Sequence, residues 1–196
     1  MLRVKNMYIK LLPLYVGLAL LIASPTYLAH KRDSAVKVAA ASAQAKLEAT
    51  SQTEVSKNIS GMPVRIIMPA QLIDLPVVKG YYLSDKKVWY VAPTSATYAT
   101  NTEPLNNIGG MSLIYGHDYS YVFAKTKSLK PGDSAIVYTD NGHIFQYIFK
   151  SEVTVDPTDT QVFSEPQSKP TLKLLTCGGA WYQNRRIMTF QLVKVV

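Results

Sequence analysis

The chain has one cysteine among 196 residues, which excludes an intrachain disulfide framework and any zinc site built on paired cysteines. Three histidines leave little for a metal cluster, and no metal or cofactor is expected. Charged residues are only 17% of the chain against 47% hydrophobic, so a disordered polymer is excluded. Dense Lys/Arg runs are also missing. The formal charge of +8 divides evenly, with 7 Lys+Arg against 3 Asp+Glu in residues 1–56 and 14 against 10 in residues 57–196. That is a mildly basic, solvated surface and not the footprint of a nucleic-acid binder. The length suits one domain with an appendage.

The longest stretch without charge is Leu11 to Ala29, 19 mostly apolar residues. As a helix rising 1.5 Å per residue it just spans a hydrocarbon core of about 30 Å. Tyr8, Tyr15 and Tyr27 fall near its ends, where amphipathic rings prefer to lie. Arg3, Lys5 and Lys10 precede it, and Lys31, Arg32 and Lys37 follow it. The positive-inside rule therefore favours a cytoplasmic N-terminus only slightly. A cleaved signal peptide is the alternative, but no clear A-x-A site precedes Lys31. The expected organisation is a cytoplasmic N-terminus at 1–10, a transmembrane signal-anchor at 11–29, an extracellular linker at 30–57 and one folded domain at 58–196. Residues 31–57 are rich in Ala, Ser, Thr, Gln and Lys, without an aromatic. They suit a helix on alanine propensity or a flexible stalk, with too little apolar surface to fold independently.

From Met62 onward the pattern turns to strands. PVRIIMP, LIDLPVV, KVWYVA, MSLIYG, SAIVYTD, HIFQYIF, TLKLLT and IMTFQLVKVV are short apolar runs, many β-branched or aromatic, bounded by turn residues. Asn141-Gly142 between two such runs signals a hairpin, since both residues accept φ > 0. HIFQYIFKSEVTV is long enough to bend partway, and SYVFAKTKSL can supply a short helix. The fold expected is all-β: a closed or nearly closed barrel of about eight strands, with a β-sandwich as the other arrangement.

The lone Cys177 follows an apolar strand in Leu174-Leu175-Thr176-Cys177-Gly178-Gly179. A strand end fixes a side chain on a rigid scaffold, and Gly-Gly permits close approach of a substrate. A lone cysteine is more often a small buried hydrophobe. As a nucleophile it needs a cationic or basic neighbour. His117, in Tyr115-Gly116-His117-Asp118 after the MSLIY run, is the best placed; His143 follows the hairpin turn and His30 borders the apolar span. Arg185 and Arg186 open the last strand. If that strand pairs with the cysteine strand, one arginine points at the thiol side and the other away. Such an arginine can donate hydrogen bonds to a developing oxyanion or to a substrate carbonyl.

This order of residues resembles the sortases. The resemblance rests on TLKLLTCGG with a following arginine strand, on Tyr115-Gly116-His117, on Phe123, on Leu129-Lys130-Pro131-Gly132-Asp133, and on Arg65–Pro69, Ile73-Asp74 and Pro76-Val77. It spans roughly residues 62–195, and the Thr-Cys-Gly-Gly form is most similar to the class E and F branches. The resemblance implies a membrane-anchored cysteine transpeptidase that cleaves an LPxTG-like sorting signal between Thr and Gly. The thioacyl-enzyme then passes its protein to an amine on a cell-wall precursor or pilin. It implies Cys177 as nucleophile, His117 as general acid then base, and Arg185, with Arg186 as alternate, for the oxyanion or substrate. It also implies Thr176 beside the substrate, and Val162 and Phe163 in the groove-forming loop of about residues 156–169. Asp156, Asp159 and Glu165 in that loop read as solubilising rather than as a calcium site. Two other readings stay open at this point. One is a cysteine hydrolase or endopeptidase of the same fold, which differs only in letting water reach the thioester. The other is a non-catalytic surface barrel with a buried Cys177. A wall-remodelling cysteine transpeptidase of another family fits less well, because Thr176-Cys177-Gly178 stands where a Ser-x-Gly-Cys motif is usual.

Overall fold

The computed structural model describes residues 25–49, 58–85, 88–164 and 166–196. The chain divides into two units, Met1–Ala35 and Val36–Val196. The expected span at 11–29 lies outside the described residues except for 25–29, which begin the helix α1 (Pro25–Ala49). No described helix is long and apolar enough to cross a membrane.

The larger unit is a closed barrel of eight strands. In chain order these are β1 (Pro63–Met68), β2 (Ile73–Lys79), β3 (Ala96–Tyr98), β4 (Met111–Tyr115), β5 (Ser134–Thr139), β6 (Ile144–Val155), β7 (Thr171–Gly178) and β8 (Asn184–Val195). Around the barrel they run β6-β8-β7-β4-β3-β2-β1-β5, and β5 returns to β6. Only β2–β3 and β4–β7 are parallel; the other neighbours are antiparallel. Alternation along each strand fills the interior with Ile66, Met68, Val137, Phe145, Leu174 and Phe190, all fully buried.

The outer face of β1, β5 and β6 is apolar as well. Ile67, Ile136 and Ile144 point outward from these strands and pack with Val36, Ala40, Ala43 and Leu47 of α1. This explains why the β1 run reads as continuous apolar sequence rather than alternation. The α1 stripe has helical spacing but is half alanine, so it is nearly invisible in the sequence. Within the expected linker, residues 31–49 are thus helix, and from Val36 on that helix belongs to the barrel unit. Gln146 Nε2 also donates to Gln44 Oε1 at 3.2 Å.

Two local expectations need correction, and two others hold. The KVWYVA run is not a barrel strand; Val88–Trp89 pairs only with Tyr82–Leu83 in a small separate ladder. The barrel position belongs instead to β3, whose Tyr98 fills the interior. In the hairpin after β5 only Gly142 takes positive φ (87°), and its N–H bonds Thr139 O at 3.1 Å. That is a turn followed by one left-handed glycine, the three-residue pattern, so Asn141 needs no left-handed backbone. β6 is one strand of 12 residues that absorbs its bend in register shifts at Gln146/Tyr147 and Phe149/Ser151. The short helix expected near Phe123 is a single 3-10 turn, Ala124–Ser128.

Candidate active site

Three strands converge on Cys177. In the β7–β8 ladder Cys177 lies opposite Arg185, Leu175 opposite Ile187, and Lys173 opposite Thr189. Directly opposed residues share a face, so these six form one outer surface. The alternate residues, Leu172, Leu174 and Thr176 with Phe190, Met188 and Arg186, face the interior. On the other side of β7, the parallel pairing places Lys173 beside Leu113 and Leu175 beside Tyr115. His117 comes two residues after Tyr115, as Cys177 comes two after Leu175. The register therefore carries both to the same end of the sheet.

The turn between Tyr115 and His117 is fixed by the cysteine strand. Gly116 N–H donates to Leu175 O at 3.1 Å, and the buried Thr176 hydroxyl donates to Gly116 O at 2.9 Å. Phe123 N–H donates to His117 O at 3.1 Å. A Cβ on Gly116 would sit 3.0 Å from both Phe123 and Val122, so an alanine here would press on both side chains. The Tyr119 ring stacks on the imidazole of His117, with centroids 4.7 Å apart and planes 16° apart. Cys177 and His117 are both half-exposed, so a ligand can reach either side chain. Tyr115, just upstream, donates its hydroxyl to Tyr90 O at 2.7 Å, and burial pushes its phenol up to about 12. It therefore stays protonated near neutral pH and braces the turn without exchanging protons.

The two arginines separate cleanly. Arg186 is buried and forms a bidentate pair with Glu152, Nε to Oε1 at 2.7 Å and Nη2 to Oε2 at 2.6 Å. It also donates to the hydroxyl (3.3 Å) and carbonyl (3.4 Å) oxygens of buried Thr126. Arg185, half-buried on the Cys177 face, has its guanidinium near the Tyr182 and Asn184 carbonyls, both 3.1 Å from Nη1. Those are neutral acceptors at the rim of the loop, and Arg185 also attracts the Asp156 carboxylate, which contributes to its lowered pKa.

The remaining expected residues fall elsewhere. Thr176 points inward with its hydroxyl engaged by Gly116, so it positions the histidine turn and offers nothing to a ligand on the outer face. Val162 and Phe163 form a 3-10 turn in the loop between β6 and β7, and both are half-buried. Phe163 lines a cleft of about 340 Å³ with Thr102, Glu103, Met111, Pro166 and Gln167. Asp156 caps its own turn by accepting from Thr158 N–H and hydroxyl at 2.8 and 2.6 Å, which lowers its carboxyl pKa. Glu165 lies outside the described residues. The Leu129–Asp133 stretch is a structural turn: Gly132 is left-handed (φ 97°), and Asp133 Oδ2 accepts from Lys130 N–H and Gln71 Nε2 at 2.9 and 2.7 Å.

Two features escaped the sequence reading. The Tyr119 stack on His117 leaves no pattern that spacing could show. Lys173 does leave one, because it has the parity of Cys177 on the same strand and so belongs to the same face.

A closed eight-stranded barrel with a thiol, an imidazole and a guanidinium at one sheet end defines a class of cysteine acyl-transfer enzyme. The chain matches the Sortase domain model over residues 66–193. It belongs to the sortase family, whose members are cysteine transpeptidases, and is an enzyme of that type. Among solved structures it is similar to the SrtA sortase from Actinomyces oris, at 21% identity and a TM-score of 0.55 over 74% of this chain and 84% of that one. It is also similar to sortase A of Listeria monocytogenes (20%, TM-score 0.54, 70% of this chain and 90% of that one). Sortase C of Streptococcus pneumoniae matches at 18%, with a TM-score of 0.55 over 71% of this chain and 68% of that one. These likenesses establish the shared barrel. No curated protein matches the chain.

Proposed function

We propose that this sortase cleaves an LPxTG-like sorting signal between Thr and Gly and transfers the protein to an amine acceptor on the cell wall or a pilus. The carrying observation is the register that puts Arg185 opposite Cys177, on the strand that also holds the Gly116-His117 turn. In this reading the Cys177 thiolate attacks the Thr carbonyl carbon, and Arg185 donates to the oxyanion that forms. His117 then protonates the leaving Gly amine as the C–N bond breaks, giving a thioacyl-enzyme. An incoming amine loses its proton to His117, attacks the thioester and expels the Cys177 thiolate. The new amide forms without a cofactor or redox partner. Residues 11–29 would anchor the chain in the membrane with the barrel outside the cell, where secreted substrates pass. The Thr-Cys-Gly-Gly form supports a place among the class E and F branches.

The test uses the full chain in detergent, because α1 from Val36 on is part of the barrel unit. It is incubated with an LPxTG-type peptide library and triglycine or a diaminopimelate-containing peptide, with Cys177→Ala alongside. Mass spectrometry should find cleavage after Thr with amine ligation, absent from the variant. Cleavage to the free acid alone would make the enzyme a hydrolase. A Cys177 that iodoacetamide cannot alkylate in the folded chain, with no product formed, would refute catalysis at this site.

A further inference from the structure

Lys173 is the unexpected residue of the outer face. The residue is only 6% exposed, although it carries an ammonium. A buried charge is tolerated only with partners. Two of its partners belong to the loop rather than the barrel: Nζ donates to Val162 O and lies 5.8 Å from the centre of the Phe163 ring. The favourable energy of both contacts is lost if the loop lifts, so the charge holds the loop down. The loop is also tied at its ends. Asp156 caps the first turn, and Gly110 N–H donates to Gln167 O at 2.8 Å. Lys173 acts between these anchors, where Val162 and Phe163 cross the sheet.

Distance along β7 gives this clamp a role. Cys177 and Lys173 are four residues apart on one face, about 13 Å at ~3.3 Å per residue. That is the length of four extended peptide residues, the size of a motif whose last residue is attacked at Cys177. We propose that Lys173 is a positioning residue that sets the far end of the substrate groove. It pins Val162 and Phe163 over the β7 floor as an end wall for the first motif residue. This inference rests on the transpeptidase reading above.

The test compares Lys173→Met, which keeps the apolar stem, and Lys173→Arg, which keeps the charge, with the wild-type full chain in detergent. Hydrogen exchange is read on peptides covering residues 158–164, and kcat and KM are measured on the cleaved peptide. Losing a charge-assisted hydrogen bond and a cation–π contact should speed loop exchange about tenfold and raise KM about tenfold in Lys173→Met, with kcat within about twofold. Lys173→Arg should restore both. Unchanged exchange and KM in Lys173→Met, a fall in kcat alone, or failure of the arginine to rescue would each overturn the inference. If Lys173→Met does not fold by near-UV circular dichroism, Phe163→Leu replaces it. That variant should speed exchange about threefold by removing the ring alone, and unchanged exchange would overturn the clamp. If the wild type cleaves no LPxTG-like peptide, the transpeptidase reading fails, and the exchange arms still decide whether Lys173 holds the loop.

Discussion

Arg185 and Arg186 are adjacent and chemically identical, yet they lie on opposite faces of β8, and two single substitutions test the roles proposed for them. Arg186→Met keeps the stem and removes the guanidinium that holds Glu152 and Thr126. Breaking a fully buried ion pair costs about 3–5 kcal/mol. Here the Arg186 side chain is 10% exposed and that of Glu152 30%, so solvent screens part of the loss. A cost of about 2 kcal/mol is the discounted expectation. For a chain of this size that lowers Tm by roughly 4–8 °C. Turnover should fall modestly, since Thr126 braces Phe123 and, through it, His117. Arg185→Met loses two neutral loop carbonyls and a solvent-screened attraction to Asp156, so Tm should move by no more than about 2 °C. Its kcat should fall about 10²–10³-fold, the usual effect of deleting one oxyanion donor. Differential scanning calorimetry on both variants, with steady-state transpeptidation on the peptide found by the library, gives the comparison. If Arg185→Met turns over normally while Arg186→Met is inactive at an unchanged Tm, the facing argument is wrong and Arg186 is the catalytic arginine.

Thr176→Val removes the hydroxyl that holds Gly116 O at nearly constant volume, and leaves a buried carbonyl short of a donor. Stability should drop by about 1–3 kcal/mol in urea titration, with a fall in kcat that exceeds any change in KM. Gly116→Ala forces a methyl against Phe123 and Val122 at 3.0 Å. Such overpacking should cost about 1–3 kcal/mol by the same titration and displace His117, lowering kcat. Leu47→Ala tests whether α1 belongs to the barrel unit. A fully buried leucine should cost about 2–5 kcal/mol, whereas a solvated stalk would show no change in Tm.

Much of the barrel was legible because strand signals are local. Turn residues bound the apolar runs of β1, β2, β4, β5, β6, β7 and β8, and each run needs only its own residues to be recognised. β3 was missed because three residues, Ala96 to Tyr98, carry no alternation pattern. The helix was ambiguous for a related reason. Ala40 and Ala43 bury little area, so the stripe they complete with Val36 and Leu47 shows only against Ile67, Ile136 and Ile144, far away in sequence. The residue types of the site were likewise readable, but their assembly was not. His117 and Cys177 come to the same end of the sheet through a parallel pairing of β4 and β7, and β5 and β6 intervene between those strands. No local pattern encodes such a crossover; the family resemblance supplied it.

The β7–β8 ladder also shows why alternation, once the register is known, sorts roles more finely than residue type. One face of the ladder holds Leu172, Leu174, Thr176, Arg186, Met188 and Phe190, all buried in the barrel. Substitutions there should act first on stability. The opposite face holds Lys173, Leu175, Cys177, Arg185, Ile187 and Thr189, and under the proposed function substitutions at Lys173, Cys177 and Arg185 should act first on KM or kcat. Two adjacent arginines, or a threonine next to the nucleophile, thus differ in function because the pleat turns neighbours apart by half a period. Thr176 shows the consequence most directly. Its place before the cysteine suggests substrate contact, but its parity sends the hydroxyl inward to Gly116, so it reaches the chemistry only through the histidine turn. A Thr176→Ser variant, which keeps the hydroxyl and loses a buried methyl, should therefore cost about 1 kcal/mol of stability and leave kcat near wild type. A direct substrate contact through the methyl would instead raise KM.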